Sequence, residues 1–241
     1  MIEGRIVLRK QRDLGEIIQA AITIYMQNLR PLFTIAAIVI PISIASPIFL
    51  ERLDDPATAT AVWLALTLLQ FAVGLLAGAT LIFALSEIDA GRPADFSSAY
   101  DVAFQRFGRL AGAYLRVVFH VTLFAITIVG IPWAIQRFVR WYFFVQQAVI
   151  LDDTSARAAL SYSADAVAGR WWRTLGIILA ISIIVMIPTL SVYGLFALAP
   201  VVVSSIANAI VNAAALPFGV TATTLLYFDL KARRESEATA S

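Results

Sequence analysis

Residues 61 to 86 run from Ala61 to Ser86 without a single charged side chain, and this stretch constrains the chain more than any other feature. A hydrocarbon core about 30 Å thick is crossed by roughly 20 apolar helical residues, so this segment is long enough to span a bilayer with some tilt. It is not isolated. Leu32 to Leu50 is uncharged and carries Pro41 and Pro47, and Leu110 to Val129 is interrupted only by Arg116 and His120. Gly130-Ile131-Pro132 then reads as a tight turn, after which Pro132 to Leu151 returns with Arg137 and Arg140 inside it. Thr174 to Ser191 follows, and Pro200 to Leu230 is a long final run with Pro217 as an expected kink. The expected architecture is an all-α integral membrane protein of six spans, about 32–50, 61–86, 110–129, 132–151, 174–191 and 200–230.

Composition agrees with that solvent. The chain is 60% hydrophobic and 14% charged, against about 45 to 50% and about 25% in ordinary soluble domains. A water-soluble enzyme of this kind is excluded. With no cysteine and the single histidine His120, disulfide scaffolds, thiolate chemistry, iron–sulfur clusters and any metal site built on two imidazoles are excluded too, and no metal or cofactor is expected.

Charge placement supports the count of spans. With the N-terminus in the cytoplasm, one side collects Arg5, Arg9, Lys10, Arg12, Arg30, Arg92, Arg106, Arg109, Arg157, Arg170, Arg173, Lys231, Arg233 and Arg234. The other side holds only Arg52, beside Glu51, Asp54 and Asp55. That asymmetry obeys the positive-inside rule only for an even number of crossings. It places both termini in the cytoplasm of a bacterial inner-membrane, multi-pass protein. The first apolar run begins too late for a cleavable signal peptide. Ile2-Glu3-Gly4-Arg5 coincides with a protease tag site.

Before the first span, Leu14, Ile17, Ile18, Ala21, Ile22, Tyr25 and Leu29 recur at helical spacing opposite Asp13, Glu16, Gln19, Thr23 and Gln27. Similar stripes precede the third span, through Phe96, Ala99, Tyr100, Ala103, Phe104 and Phe107, and the fifth, through Ala156, Ala159, Leu160, Ser163 and Val167. Each ends at an arginine: Arg30, Arg109 and Arg173. The chain therefore reads as three repeats of amphipathic helix, span and return span, with amphipathic segments 13–29, 95–108 and 155–169. These helices are expected at the cytoplasmic interface, apolar faces in the acyl boundary. The alternative is that they pack on one another as a cap.

Leu14-Gly15-Glu16-Ile17-Ile18, Asn28-Leu29-Arg30-Pro31-Leu32, Ala159-Leu160-Ser161, Gly169-Arg170-Trp171-Trp172-Arg173 and the ending Leu225-Leu226-Tyr227-Phe228-Asp229-Leu230-Lys231-Ala232-Arg233-Arg234-Glu235 resemble the bacterial glycerophosphoryl diester phosphodiesterase membrane-domain family. The resemblance covers nearly the whole chain, and Tyr227 to Lys231 carries its most specific part, with Lys231 where an arginine is expected. It implies a membrane location and a connection with lipid metabolism. No soluble catalytic domain is expected after the last span, and the resemblance transfers no catalytic residue.

The candidate site rests on ions inside the spans. Arg116 and His120 are one turn apart, about 9 and 15 Å beyond Leu110 at 1.5 Å per residue. An intramembrane ionisable residue is a functional hint by default. Its alternative is that Arg116 snorkels to the headgroups while His120 sits neutral against a carbonyl. Gln136, Arg140 and Gln147 fall on one helical face with Arg137 on its flank, and no carboxylate lies inside the spans except Asp229 at the end of the last. Arg137, Arg140, Arg116 and His120 are thus expected to hold an anionic guest such as a lipid phosphate, unless helix 132–151 is only partly inserted and its arginines touch water.

Other polar positions have blander readings beside the functional one. Asn208 and Asn212, with Ser204, make the last span polar on one face and either line a passage with Gln136 and Gln147 or bond between helices. Trp171, Trp172, Arg173, Arg30 and Arg109 read as interfacial anchors, and Gly74 and Gly78 as a small-residue packing seam. Asp153, Asp165 and Asp229 read as surface partners for Arg157, Arg170 or Arg233, contributing little. No phosphate-binding loop, G-x-S-x-G elbow, H-E-x-x-H or intramembrane acidic pair occurs. The reading is therefore non-enzymatic: a membrane protein that binds, senses or translocates a lipid or anionic amphiphile, with membrane lipids as partners and no nucleic acid. A small-solute transporter or channel, and a scaffold for a cytoplasmic partner, stand as alternatives, and a homo-oligomer stays open.

Overall fold

The computed structural model describes residues 8–240, and within them every regular element is helical. Arg5 and the tag-like residues 2–5 lie outside the described residues. The helices are α1 (Leu14–Gln27), α2 (Leu29–Ala36), α3 (Ile40–Leu50), α4 (Pro56–Asp89), α5 (Phe96–Ala125), α6 (Ile131–Trp141), α7 (Val145–Leu151), α8 (Ala156–Val167), α9 (Trp171–Leu195) and α10 (Val201–Ala240). Four stretches are long and apolar enough to cross a membrane: Leu29–Leu50, Pro56–Asp89, Trp171–Leu195 and Val201–Thr239. Their outward faces carry Phe49, Leu68, Ile187, Leu190 and Ile210, all exposed. So much contiguous apolar surface is sustained by lipid, not by water.

Local chemistry sets the helix ends. Asp13 caps α1 in a reciprocal box with Glu16, while Asp55 caps α4 through Thr58 N–H with Pro56 in the first turn. Asp95 caps α5 through Ser98 N–H, and Ser155 caps α8. Gly91, with φ +74°, ends α4 in the left-handed region that only glycine enters freely. Pro41 cannot donate to the carbonyl of Ala37, and Ile40 N–H takes it instead, producing the short 3-10 stretch Ala37–Val39 between α2 and α3. α10 runs unbroken through Pro217.

Two segments differ from the expected boundaries. The second amphipathic segment and third span, 95–108 and 110–129, form the single helix α5, because nothing between Arg109 and Leu110 stops a helix. The fourth, 132–151, is broken between α6 and α7 at Tyr142–Phe144. No proline or glycine stands there. The break sends three successive rings different ways: Tyr142 stacks on Phe138 at 4.4 Å and meets Tyr114 edge-on at 5.2 Å, Phe143 meets Phe138, and the buried Phe144 reaches Tyr227.

α10 is the axis of the bundle, packing on α9, α3, α1, α4 and α2. α1 lies antiparallel along it: Arg12 N donates to Asp229 at one end (2.7 Å), and Tyr25 Oη donates to Ala214 O at the other (3.0 Å). Of the expected stripe, Ile17 and Ala21 are consequently buried in protein with Ile24 beside them, and so do not face acyl chains, whereas Leu14, Ile22 and Leu29 remain exposed. In the second stripe Ala99, Tyr100 and Ala103 are buried likewise, leaving Phe96 and Phe104 outside. Ala159, Ser163 and Val167 of the third stripe are also buried.

Candidate functional site

The α5–α6 pair brings His120 and Arg137, two of the four residues expected to meet an anion, to one indole, while the Arg116 side chain is directed away from them. The His120 ring meets the Trp141 ring edge-on at 5.3 Å, and the Arg137 guanidinium lies over the same indole at 4.6 Å and near Phe124 at 5.7 Å. His120 Nδ1 is 2.7 Å from Arg116 O, and Arg116 Nη1 donates back to Gly112 O at 2.9 Å. The Arg116 side chain thus points along α5 toward Arg109, the direction a snorkelling arginine takes. Neither Arg137 nor Arg140 has a carboxylate partner among the described residues. Ser163 Oγ donates to the backbone carbonyl of Arg140, fastening α8 to α6. Gln136 is half-buried on the same helix.

Gln147 belongs elsewhere. It is 2% exposed, and its Oε1 has no hydrogen-bond partner. Together with Gln146 it lines a cavity of about 320 Å³ among α4, α5, α7 and α10, with Gly74, Gly78, Tyr114 and Thr223 around it. Gln146 Nε2 donates to Leu75 O at 3.3 Å. The two glycines differ: a Cβ at Gly74 has nothing within 4 Å, so that position opens onto the space, whereas one at Gly78 would stand 2.9 Å from Gln146 Oε1, the close packing expected of a small-residue seam. Asn208 and Asn212 line a second cavity of about 300 Å³, with Ser43, Gln70 and Tyr193, and Asn208 Oδ1 is another buried oxygen without a partner. The two cavities succeed one another along α4 and α10. An apolar cluster of Val39, Ala77 and Ala213, with Val73 and Leu216 packed on it, follows the second cavity along α10 and stands level with the first on α4.

A third constellation, at the end of the bundle where most of the basic residues sit, was missed in the sequence. Asp229 is fully buried. It accepts from Arg12 N (2.7 Å), Arg173 Nη1 (2.6 Å) and Arg233 Nε (2.8 Å), while the carbonyl of Arg12 accepts from Arg173 Nη2 and Arg233 Nη2. Arg233 is thus a partner of Asp229 as expected, but the carboxylate is buried, which corrects the surface reading. Burial holds the Arg12 guanidinium below its usual pKa, with Glu16, Asp229 and Asp89 pulling the other way. Nearby, Asp152 accepts from Tyr227 Oη and from Lys231 Nζ, and Leu8 N donates to Asp89. The signal available in the sequence was a carboxylate in an apolar run with an arginine one turn on.

The expected anchors divide. Arg173 is held by Asp229, and Arg109 pairs with Asp153 at 3.0 Å, which Arg106 also approaches at 3.2 Å. Arg30 is exposed and has no carboxylate partner among the described residues. Trp172 is 78% exposed, whereas Trp171 packs on the core with its Nε1 buried and unpartnered. Among the described residues no group of three or more His, Cys, Asp or Glu could hold a metal ion.

Compared with protein-family models, with curated proteins and with solved structures, the chain matches none.

Proposed function

We propose that this chain is a multi-pass membrane protein, without a catalytic site, that binds, senses or translocates a lipid or other anionic amphiphile through the α5–α6 surface. One observation carries the reading. Arg137 lies against aromatic rings alone and Arg140 beside it on α6 has no carboxylate, on a pair of helices whose exposed residues include Leu115, Phe119, Leu123 and Ile135. A guanidinium in such surroundings gains most from an anion brought in from outside, and a lipid phosphate offers bidentate acceptors at the right place. The partial likeness to the glycerophosphoryl diester phosphodiesterase membrane-domain family points the same way. The double variant Arg137→Gln/Arg140→Gln, purified beside the parent, should lose most of the anionic lipid found by mass spectrometry. Equal lipid in both preparations defeats the reading.

The topology that goes with it has six passages in three hairpins, both termini in the bacterial cytoplasm, the third passage made by the second half of α5 and the fourth by α6 and α7 together. Ion pairs support it. Asp153 meets Arg106 and Arg109, Asp152 meets Lys231, and Asp229 meets Arg12 and Arg173, so the ends expected on one side are tied to one another. The chain has no cysteine, which suits single-cysteine labelling. Leu53→Cys, Thr127→Cys and Leu198→Cys should react with an impermeant maleimide in intact cells. Arg92→Cys, Asp153→Cys and Ser236→Cys should react only after permeabilisation. Reaction of either group from the wrong side removes the six-passage arrangement.

A second reading, passage of a small polar solute, is favoured by the two amide-lined cavities in succession along α4 and α10, with the Val39–Ala77–Ala213 cluster as the constriction beyond the second. Solute-driven swelling of proteoliposomes that is accelerated by the chain, and further accelerated by Val39→Ala, would support it.

A further inference from the structure

We infer that the cavity between α4, α5, α7 and α10 is a binding site for an uncharged, hydroxyl-bearing group, separate from the arginines of α6. Its lining fixes the chemistry. Gln147 lines the space while 2% exposed, and its buried Oε1 has no donor among the described residues, so the amide is satisfied only by turning toward the cavity and a group there that donates a hydrogen bond. A buried acceptor left in that condition is costly, and a native site that keeps one is usually completed by a ligand or water.

The remaining polar lining consists of amide, phenol and hydroxyl groups: Gln146, Tyr114, Tyr142 and Thr223. No charged side chain lines the space, so an anion or cation entering it would lose hydration without gaining a counter-ion. A neutral hydroxyl loses less and gains the Gln147 oxygen. The volume, about 320 Å³, belongs to the small end of ligand pockets. Phe71 lines the cavity and is also 43% exposed on the outer surface, so the space communicates with the face of the bundle. Gly74 and Gly78 keep α4 thin at this level: where the helix passes the amides it has no side chain to fill the gap.

The hydroxyl can arrive on a lipid or on a free polyol, and photolabelling separates these sources. The full chain is reconstituted in phosphatidylcholine vesicles with a long-chain primary alcohol carrying a diazirine close to its hydroxyl, and labelled peptides are mapped. Labelling is expected on the segments containing residues 71–78 and 142–147. It should fall about tenfold in Gln147→Met, the worth of one buried hydrogen bond, and disappear in Gly74→Leu, which fills the space. Competition by the unlabelled alcohol alone assigns a lipid-borne hydroxyl. Competition by erythritol as well assigns access to free polyols. An alkyl phosphate of the same length should compete at least tenfold less well, because no cation lines the site, and Arg137→Gln should leave the labelling unchanged. The proposal is overturned if the labelled segments lie elsewhere, if the alkyl phosphate competes as well as the alcohol, or if labelling never rises above that of the lipid-facing surface, the outcome for a cavity holding water alone. The competition arms use the unaltered chain, so they decide even if a variant fails to fold.

Discussion

Arg173 Nη1 lies 2.6 Å from Oδ2 of Asp229, a carboxylate with no exposed surface one turn before Arg233 on α10. The pair joins the start of α9 to the end of α10, and the second Arg173 nitrogen continues to the carbonyl of Arg12. Three separate parts of the chain are fastened through one side chain.

Removing that carboxylate should be the most damaging single polar change in the protein. Asp229→Ala would leave two guanidinium groups and the Arg12 N–H without their acceptor, and breaking a buried ion pair from one side costs about 3–5 kcal/mol. Arg173→Ala, which leaves Asp229 with Arg233 and the Arg12 N–H, should cost roughly 1.5–3 kcal/mol. Unfolding of the reconstituted protein in denaturant would rank the two. A smaller loss for Asp229→Ala than for Arg173→Ala contradicts the shared-acceptor arrangement.

Gly78 tests the cavity wall from the side of α4. An alanine Cβ would stand 2.9 Å from Gln146 Oε1, the movable end of a side chain, so Gln146 must turn and give up its bond to Leu75 O. The expected cost of Gly78→Ala is about 1 kcal/mol, one hydrogen bond offset in part by the helix preference of alanine. In a Gln146→Ala background, which already lacks that bond, Gly78→Ala should cost nothing, a difference that a double-mutant cycle measures.

Trp141 is the common neighbour of Arg137 and His120. Trp141→Leu should keep an apolar, though smaller, side chain and release the guanidinium, a contact worth about 0.5–1 kcal/mol at exposed sites. The indole emission of the parent should also respond to Arg137→Gln. A spectrum unchanged by that substitution would mean the two side chains are not in contact.

Asp55 and Asp95 accept from the N–H groups of Thr58 and Ser98, which draws both carboxyls below their ordinary range. A carboxylate with a lowered folded-state pKa contributes stability above its unfolded value, about 3.9, and loses it as pH falls through the folded value. Thermal stability should therefore decline on the acid side. Asp95→Asn, which still caps the helix but does not titrate, should flatten part of that decline.

Much of the architecture was written in hydropathy. Residues 32–50, 61–86 and 174–191, and all but the first residue of 200–230, lie within the four stretches apolar enough to cross a membrane, because about twenty apolar residues in sequence need no tertiary information to be recognised. The α6–α7 break could not be read that way. It depends on where Tyr142, Phe143 and Phe144 find ring partners on α5 and α10, and nothing local marks it. The same holds for Gly74 and Gly78: small residues four apart have one pattern whether they face a helix or a space, and only the position of Gln146 decides. Of the candidate ions, His120 and Arg137 meet at Trp141 across the turn between α5 and α6, whereas the Arg116 guanidinium turns back to Gly112 O. Asp229 was legible as a residue and misread as a position, because its burial comes from α1 and α9.

The antiparallel seating of α1 on α10 sets a condition on biosynthesis. A ribosome delivers Arg12 and the stripe Ile17, Ala21 and Ile24 long before it delivers Asp229 and Ala214, and until then the first helix has neither its acceptors nor its apolar partner. Its early life must be spent on something else, the bilayer surface or a chaperone. The first segment to be made is among the last to find its final place, and truncation near the end of the chain should disturb its beginning.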